Sequence, residues 1–100
     1  MAYLLQVDFP HDGIFGDEMS KAFADLAKDI AQEEGLIWKI WTENESTKEA
    51  GGIYLFENES DAQRYLKKHT GRLTSFGYTN IRAKIFSVNE TLSRLTKASV

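Results

Sequence analysis

Residues 36–56 read LIWKIWTENESTKEAGGIYLF, and this stretch decides the fold. Leu36 to Glu43 has the isoleucine and tryptophan content of a β-strand, with Leu36, Trp38 and Ile40 facing one way and Ile37 and Trp41 the other. Asn44-Glu45-Ser46-Thr47 makes a turn, and Gly51-Gly52 opens a second strand running from Ala50 to Phe56. Two strands separated by so short a turn pair as a hairpin. Segments of helical periodicity flank this hairpin. On the N-terminal side Met19, Phe23, Leu26, Ala27, Ile30 and Ala31 form one stripe, stopped at Gly35. On the C-terminal side Ser60-Asp61-Ala62-Gln63 has the form of a capping box, and the stripe continues through Ala62, Tyr65, Leu66, His69 and Leu73 until Gly77.

Further out, Tyr3, Leu5, Val7 and Phe9 alternate with Leu4, Gln6 and Asp8 as a first strand that Pro10 ends. Ile81, Ala83 and Ile85 mark a fourth strand, after which Asn89 caps a short tail helix carrying Leu92 and Leu95. The order β-α-β-β-α-β plus a tail predicts an α+β, ferredoxin-like domain over residues 1–100, with one antiparallel sheet and both helices on one face. The other face is expected to carry Leu4, Tyr54, Phe56, Phe86 and Val88, besides one apolar set of the second strand. Apolar side chains of that extent need a cover, and a second copy supplies one through a self-complementary two-fold patch. A homodimer with its sheets face to face is the expectation.

One hundred residues with 42% apolar content fill one core. Without cysteine there is no disulfide or thiolate chemistry, which suits a reducing compartment. The N-terminus has neither a basic leader nor a long apolar run, so a cytoplasmic protein that does not enter the membrane is expected. A net charge of −3 and a pI near 5.3 argue against a nucleic-acid partner. His11 and His69 lie in distant elements, which excludes a metal centre of the usual spacings, and Gly13-x-x-Gly16 lacks the Lys-Ser/Thr ending of a phosphate loop.

Several strings, in that order of elements, resemble the YdhR-type mono-oxygenase family, related to the antibiotic-biosynthesis monooxygenases of the dimeric α/β-barrel superfamily. They are Leu4-Leu5-Gln6, Gly13-Ile14-Phe15-Gly16-Asp17, Trp38-Lys39-Ile40-Trp41-Thr42-Glu43, Glu49 to Phe56, Tyr65 to Thr70, and Val88-Asn89-Glu90. Ile14 stands where the family pattern has proline, and Gly71 interrupts a helix. The resemblance implies an oxygenase acting on a small aromatic, phenol- or quinol-like compound without metal, flavin or haem, and so a role in aromatic compound metabolism.

Within that frame His69, on the buried stripe one turn from Tyr65, is a candidate acid or base. Lys39, inside an apolar strand on the Trp41 face with Glu43, is a candidate stabiliser of a substrate anion; a cross-strand salt bridge is its structural alternative. Gln6, Trp38, Trp41, Tyr54, Phe56 and Tyr65 are candidate substrate contacts, each with a packing explanation of its own. The two tryptophans, three apart on one strand, point to opposite faces, so only one lines a given pocket. Two other functions fit the same order of elements: a non-catalytic ligand carrier or sensor, and an RNA-recognition module, which Glu49 and the acidic pI oppose.

Overall fold

The structure is a computed structural model and describes residues 2–100. Eight elements follow one another: β1 (Tyr3–Pro10), α1 (Gly16–Ala22), α2 (Ala24–Ile30), β2 (Leu36–Asn44), β3 (Glu49–Phe56), α3 (Glu59–Ser75), β4 (Arg82–Ser87) and α4 (Glu90–Leu95). The strands form one antiparallel sheet in the order β2-β3-β1-β4, the ferredoxin-like arrangement. Leu5, Val7 and Phe9 on β1 and Tyr54 and Phe56 on β3 turn toward the helices, meeting Met19, Ile30, Ala62, Tyr65 and Leu73 in the core. Among the described residues no helix is long and apolar enough to cross a membrane.

Register corrects the expected facing of two strands. Leu4 pairs with Leu55 and Leu5 with Tyr54, so Tyr54 and Phe56 lie on the helix-covered face. The second face instead carries Leu4, Gln6, Trp38, Ile40, Ile53, Leu55 and Phe86. On β2 an irregularity between Leu36 and Trp38 sets two steps against one on β3, with Leu36 opposite Phe56 and Trp38 opposite Leu55. One extra residue, Ile37, reverses the alternation, so Leu36 joins the core while Trp38 turns away from it. Gly51 and Gly52 sit in regular ladder positions on β3. A Cβ at Gly51 would collide with the Val7 backbone, so the pair permits close approach.

The helices depart from expectation in two places. The first is broken at Phe23 (φ −106°, ψ 10°), although the Phe23 amide still donates to the Met19 carbonyl and the Ala27 amide to the Phe23 carbonyl. The Phe23 ring lies nearly parallel to Trp41, with centroids 6.3 Å apart. On α3 the cap is Asn58, whose Oδ1 accepts from the Asp61 amide at 2.9 Å and from Ser60 Oγ at 2.8 Å. Asn58 caps better than Ser60 because it also donates to the buried Asp61 carboxylate, at 2.8 Å. Gly35, at φ +80°, is required twice over, since a Cβ there would overlap that carboxylate. Asn89 caps α4 as expected, accepting from the Leu92 amide at 3.0 Å. The tail beyond α4 then reaches β2 at the far edge of the sheet, where Trp38 Nε1 donates to the Ser99 carbonyl at 3.0 Å. Leu55, on the same face as Trp38, is fully buried.

Candidate active site

Between the sheet and the helices lies a cavity of about 30 Å³, walled by Lys39 and Trp41 of β2, Tyr54 of β3, His69 and Leu73 of α3, and Phe23 at the helix break. That is room for about two waters, whereas a benzene ring occupies an apolar cavity of about 150 Å³. A second recess of about 280 Å³ adjoins it, lined by Ser20, Ala24, Ala27 and Glu43. The two share Met19, Phe23 and Trp41, so the Phe23–Trp41 stack is the partition between them. Glu43 also accepts from the Gly16 amide at 2.9 Å, tying the start of α1 to the end of β2.

Lys39 points into the inner cavity with its ammonium 3.4 Å from the Trp41 ring centroid and 4.6 Å from that of Tyr54. Gly52 makes this possible: a Cβ there would come within 2.7 Å of Lys39 Cε. The two ring faces attract the cation, yet burial costs more than they return, and the Arg72 charge adds to the cost. The amine is accordingly pulled down to about 7. Among the described residues Lys39 has no carboxylate partner, and no carboxylate lines the inner cavity.

His69 stacks on Tyr65, with centroids 5.0 Å apart, and meets the Tyr54 ring edge-on. Arg72, three residues on, brings Nη2 to 3.0 Å and Nε to 3.3 Å from His69 Nδ1. Burial first, then the charges of Lys39 and Arg72, lower the imidazole to about 3. It is neutral at physiological pH. Beneath it the Tyr65 hydroxyl donates to that of Tyr54 at 3.4 Å, and burial raises both phenols above their ordinary range. At the other end of the cavity His11 Nε2 lies 2.8 Å from the Ile14 carbonyl, which only accepts, so Nε2 carries the proton. His11 Nδ1 lies 2.7 Å from the Tyr78 hydroxyl. This pair clamps the loop between β1 and α1 over the cavity.

The family model described as "Putative mono-oxygenase ydhR" matches residues 4–99. The chain belongs to this family. No curated protein sequence matches it. Among solved structures, a mutant of SnoaB, a cofactor-independent oxygenase from Streptomyces nogalater, is similar at 16% identity and TM-score 0.64, over 91% of this chain and 96% of that one. A structural-genomics protein, YJCS, is similar at 23% identity and TM-score 0.61, over 88% and 98%. A protein described as a "putative antibiotic biosynthesis monooxygenase" from Deinococcus radiodurans is similar at 14% identity and TM-score 0.55, over 89% and 93%. At these identities the likeness is one of fold.

In this ydhR-family chain, four of the residues singled out from sequence meet at one cavity: Lys39, Trp41, Tyr54 and His69. Tyr65 lies directly behind them, supporting His69 and Tyr54 without lining the space. Phe56 is packed in the core against Tyr65, away from the cavity. Gln6 and Trp38 are on the opposite face of the sheet, where Gln6 Nε2 donates to Asp8 at 3.2 Å. The bulge at Ile37 decides which tryptophan serves the cavity, and it is Trp41. Sequence reading missed Arg72, Phe23, His11 and Tyr78. Only Arg72 left a signal, its spacing of three from His69 on one helix. Among the described residues no group of three or more histidine, cysteine, aspartate or glutamate side chains gathers as a metal site would require.

Proposed function

We propose that this chain is a cofactor-independent oxygenase that binds a small phenol- or quinol-like compound as its anion. The observation that carries the reading is Lys39, held between two aromatic rings without a carboxylate, beside the imidazole of His69. An amine that titrates near neutrality takes a phenol proton as the free base and remains as an ammonium next to the oxygen it has deprotonated. His69, neutral and too weak a base for this work, supplies a hydrogen bond to the same oxygen; this revises the acid–base role expected for it. Trp41 and Tyr54 face the ring.

The phenolate then reduces oxygen by itself. A ring carbon ortho or para to the oxygen bonds dioxygen and, after taking up a proton, carries a hydroperoxide. Loss of that carbon's hydrogen as a proton breaks the O–O bond and expels hydroxide, which leaves as water. One phenol and one dioxygen give one quinone and one water, with all four electrons drawn from the substrate.

Purified protein incubated with a panel of naphthols and hydroquinones in an oxygen electrode is expected to consume one dioxygen per quinone formed. Turnover over a weakly acidic phenol should rise with pH through about 7, and Lys39→Arg should abolish that limb. Binding without oxygen uptake would support the carrier reading instead; failure to bind any member of the panel ends the proposal.

The same reading includes a second copy of this chain as partner. Ile40 and Phe86, 54% and 47% exposed, stand on the sheet face away from the helices, beside Trp38 and Ile53. A two-fold pairing of these faces buries them, and light scattering is expected to return twice the chain mass. A cytoplasmic setting goes with the proposal, resting on a chain of 100 residues without cysteine.

A further inference from the structure

We propose that Arg72 is a positioning residue: its guanidinium occupies His69 Nδ1 and thereby fixes the imidazole as an Nε2–H donor aimed at a bound oxyanion. The inference deepens the reading above and rests on it for the identity of the anion.

A guanidinium only donates hydrogen bonds. Nη2 at 3.0 Å and Nε at 3.3 Å from Nδ1 therefore require a lone pair on that nitrogen, and a neutral ring so held carries its proton on Nε2. Among the described residues Nε2 has no hydrogen-bond partner, and no buried side-chain nitrogen or oxygen is left without one. Nε2 is thus open to the cavity that His69 lines. Arg72 is itself held, with Nη1 3.1 Å from Asp29 of α2 and Nη2 3.4 Å from the Tyr65 hydroxyl. Tyr65 stacks on the imidazole and prevents it from swinging away.

This is the reverse of the usual catalytic histidine. There, a carboxylate or carbonyl accepts from Nδ1–H, and Nε2 is left as a base. Here a cationic donor sits on Nδ1, and Nε2 is left as a donor. An imidazolium would set N–H against N–H and positive charge against positive charge. Neutral imidazole donation to a developing oxyanion is an established use of histidine.

The charged and titratable groups facing His69 are Lys39 from β2, Tyr54 from β3, Tyr65 and Arg72 on α3, and Asp29 of α2 acting through Arg72. The test is a long-range ¹H–¹⁵N imidazole spectrum of uniformly labelled, ligand-free protein between pH 5 and 8. The expected result is a single Nε2–H neutral tautomer for His69 across the range. In Arg72→Met, both tautomers should appear, with proton uptake at least tenfold more favourable. If that variant does not fold, Arg72→Gln, whose carbonyl can accept from Nδ1–H, takes its place with the same expectation. An Nδ1–H signal in the wild type overturns the proposal whatever the variants do, as does an unchanged spectrum in the folded variant. Because no ligand is present, failure of the phenol panel leaves this result standing, and the reverse also holds.

Discussion

An amine caged between two rings carries a cost that the folded chain bears at neutral pH and sheds in base. Lys39 titrates near 7 in the fold and near 10.5 in the unfolded chain, so between those values the unfolded state holds more protons. Stability therefore rises with pH across that window. Lys39→Met is expected to flatten the rise and to stabilise the protein at pH 7 by about 1–3 kcal/mol, read by urea denaturation. The same variant should lose on the order of 100-fold or more in turnover of a phenol. A more stable, inactive protein is the signature of a residue kept for chemistry. At this scale the sequence was partly legible. A lysine among Ile and Trp on one strand announces itself because such a charge has no reason to be there. Arg72 gives only its spacing, since an arginine three residues from a histidine on a helix looks like any solvated side chain until Asp29 and Tyr65 are seen to hold it.

Phe23 is the hinge between α1 and α2 and also the wall between the two recesses. An aromatic ligand does not fit the inner space as it stands, so a wall must move, and the Phe23–Trp41 stack that borders the larger recess is the candidate. Phe23→Ala should join the recesses and raise the association rate of 4-nitrophenol, followed by stopped-flow absorbance of its phenolate. The half-buried ring makes the cost moderate, about 1–3 kcal/mol of stability by comparison with core Phe→Ala changes. No change in rate would place the entrance elsewhere. Elements were legible where periodicity is strong, as in β1 and α3. They misled where a single residue resets the count. Ile37 is one such residue, reversing β2 between Leu36 and Trp38. On β3, Tyr54 and Phe56 were assigned to the wrong face because two glycines give no pattern from which to count, and only pairing with Leu5 and Tyr3 fixes them.

For the whole molecule, the order of strands and helices was readable because punctuating residues mark the ends of several of them: Pro10, Gly35, Gly77 and Asn89. The return of the tail across the sheet to Trp38 was not, for it depends on one hydrogen bond between residues 61 apart. That tail leaves Ile40 and Phe86 exposed, and the proposed two-fold pairing makes them its centre. Phe86→Glu is expected to halve the mass seen by light scattering without disturbing the far-ultraviolet dichroism. An unchanged mass would put the dimer contact on another surface. The inner cavity has one more consequence. An amine half unprotonated at neutral pH is a nucleophile, and the space around it holds little more than water until a wall moves. A small acylating reagent should therefore modify Lys39 at a rate that stops depending on reagent concentration once opening limits it. The plateau, read by mass spectrometry, makes Lys39 a clock for how often the molecule breathes.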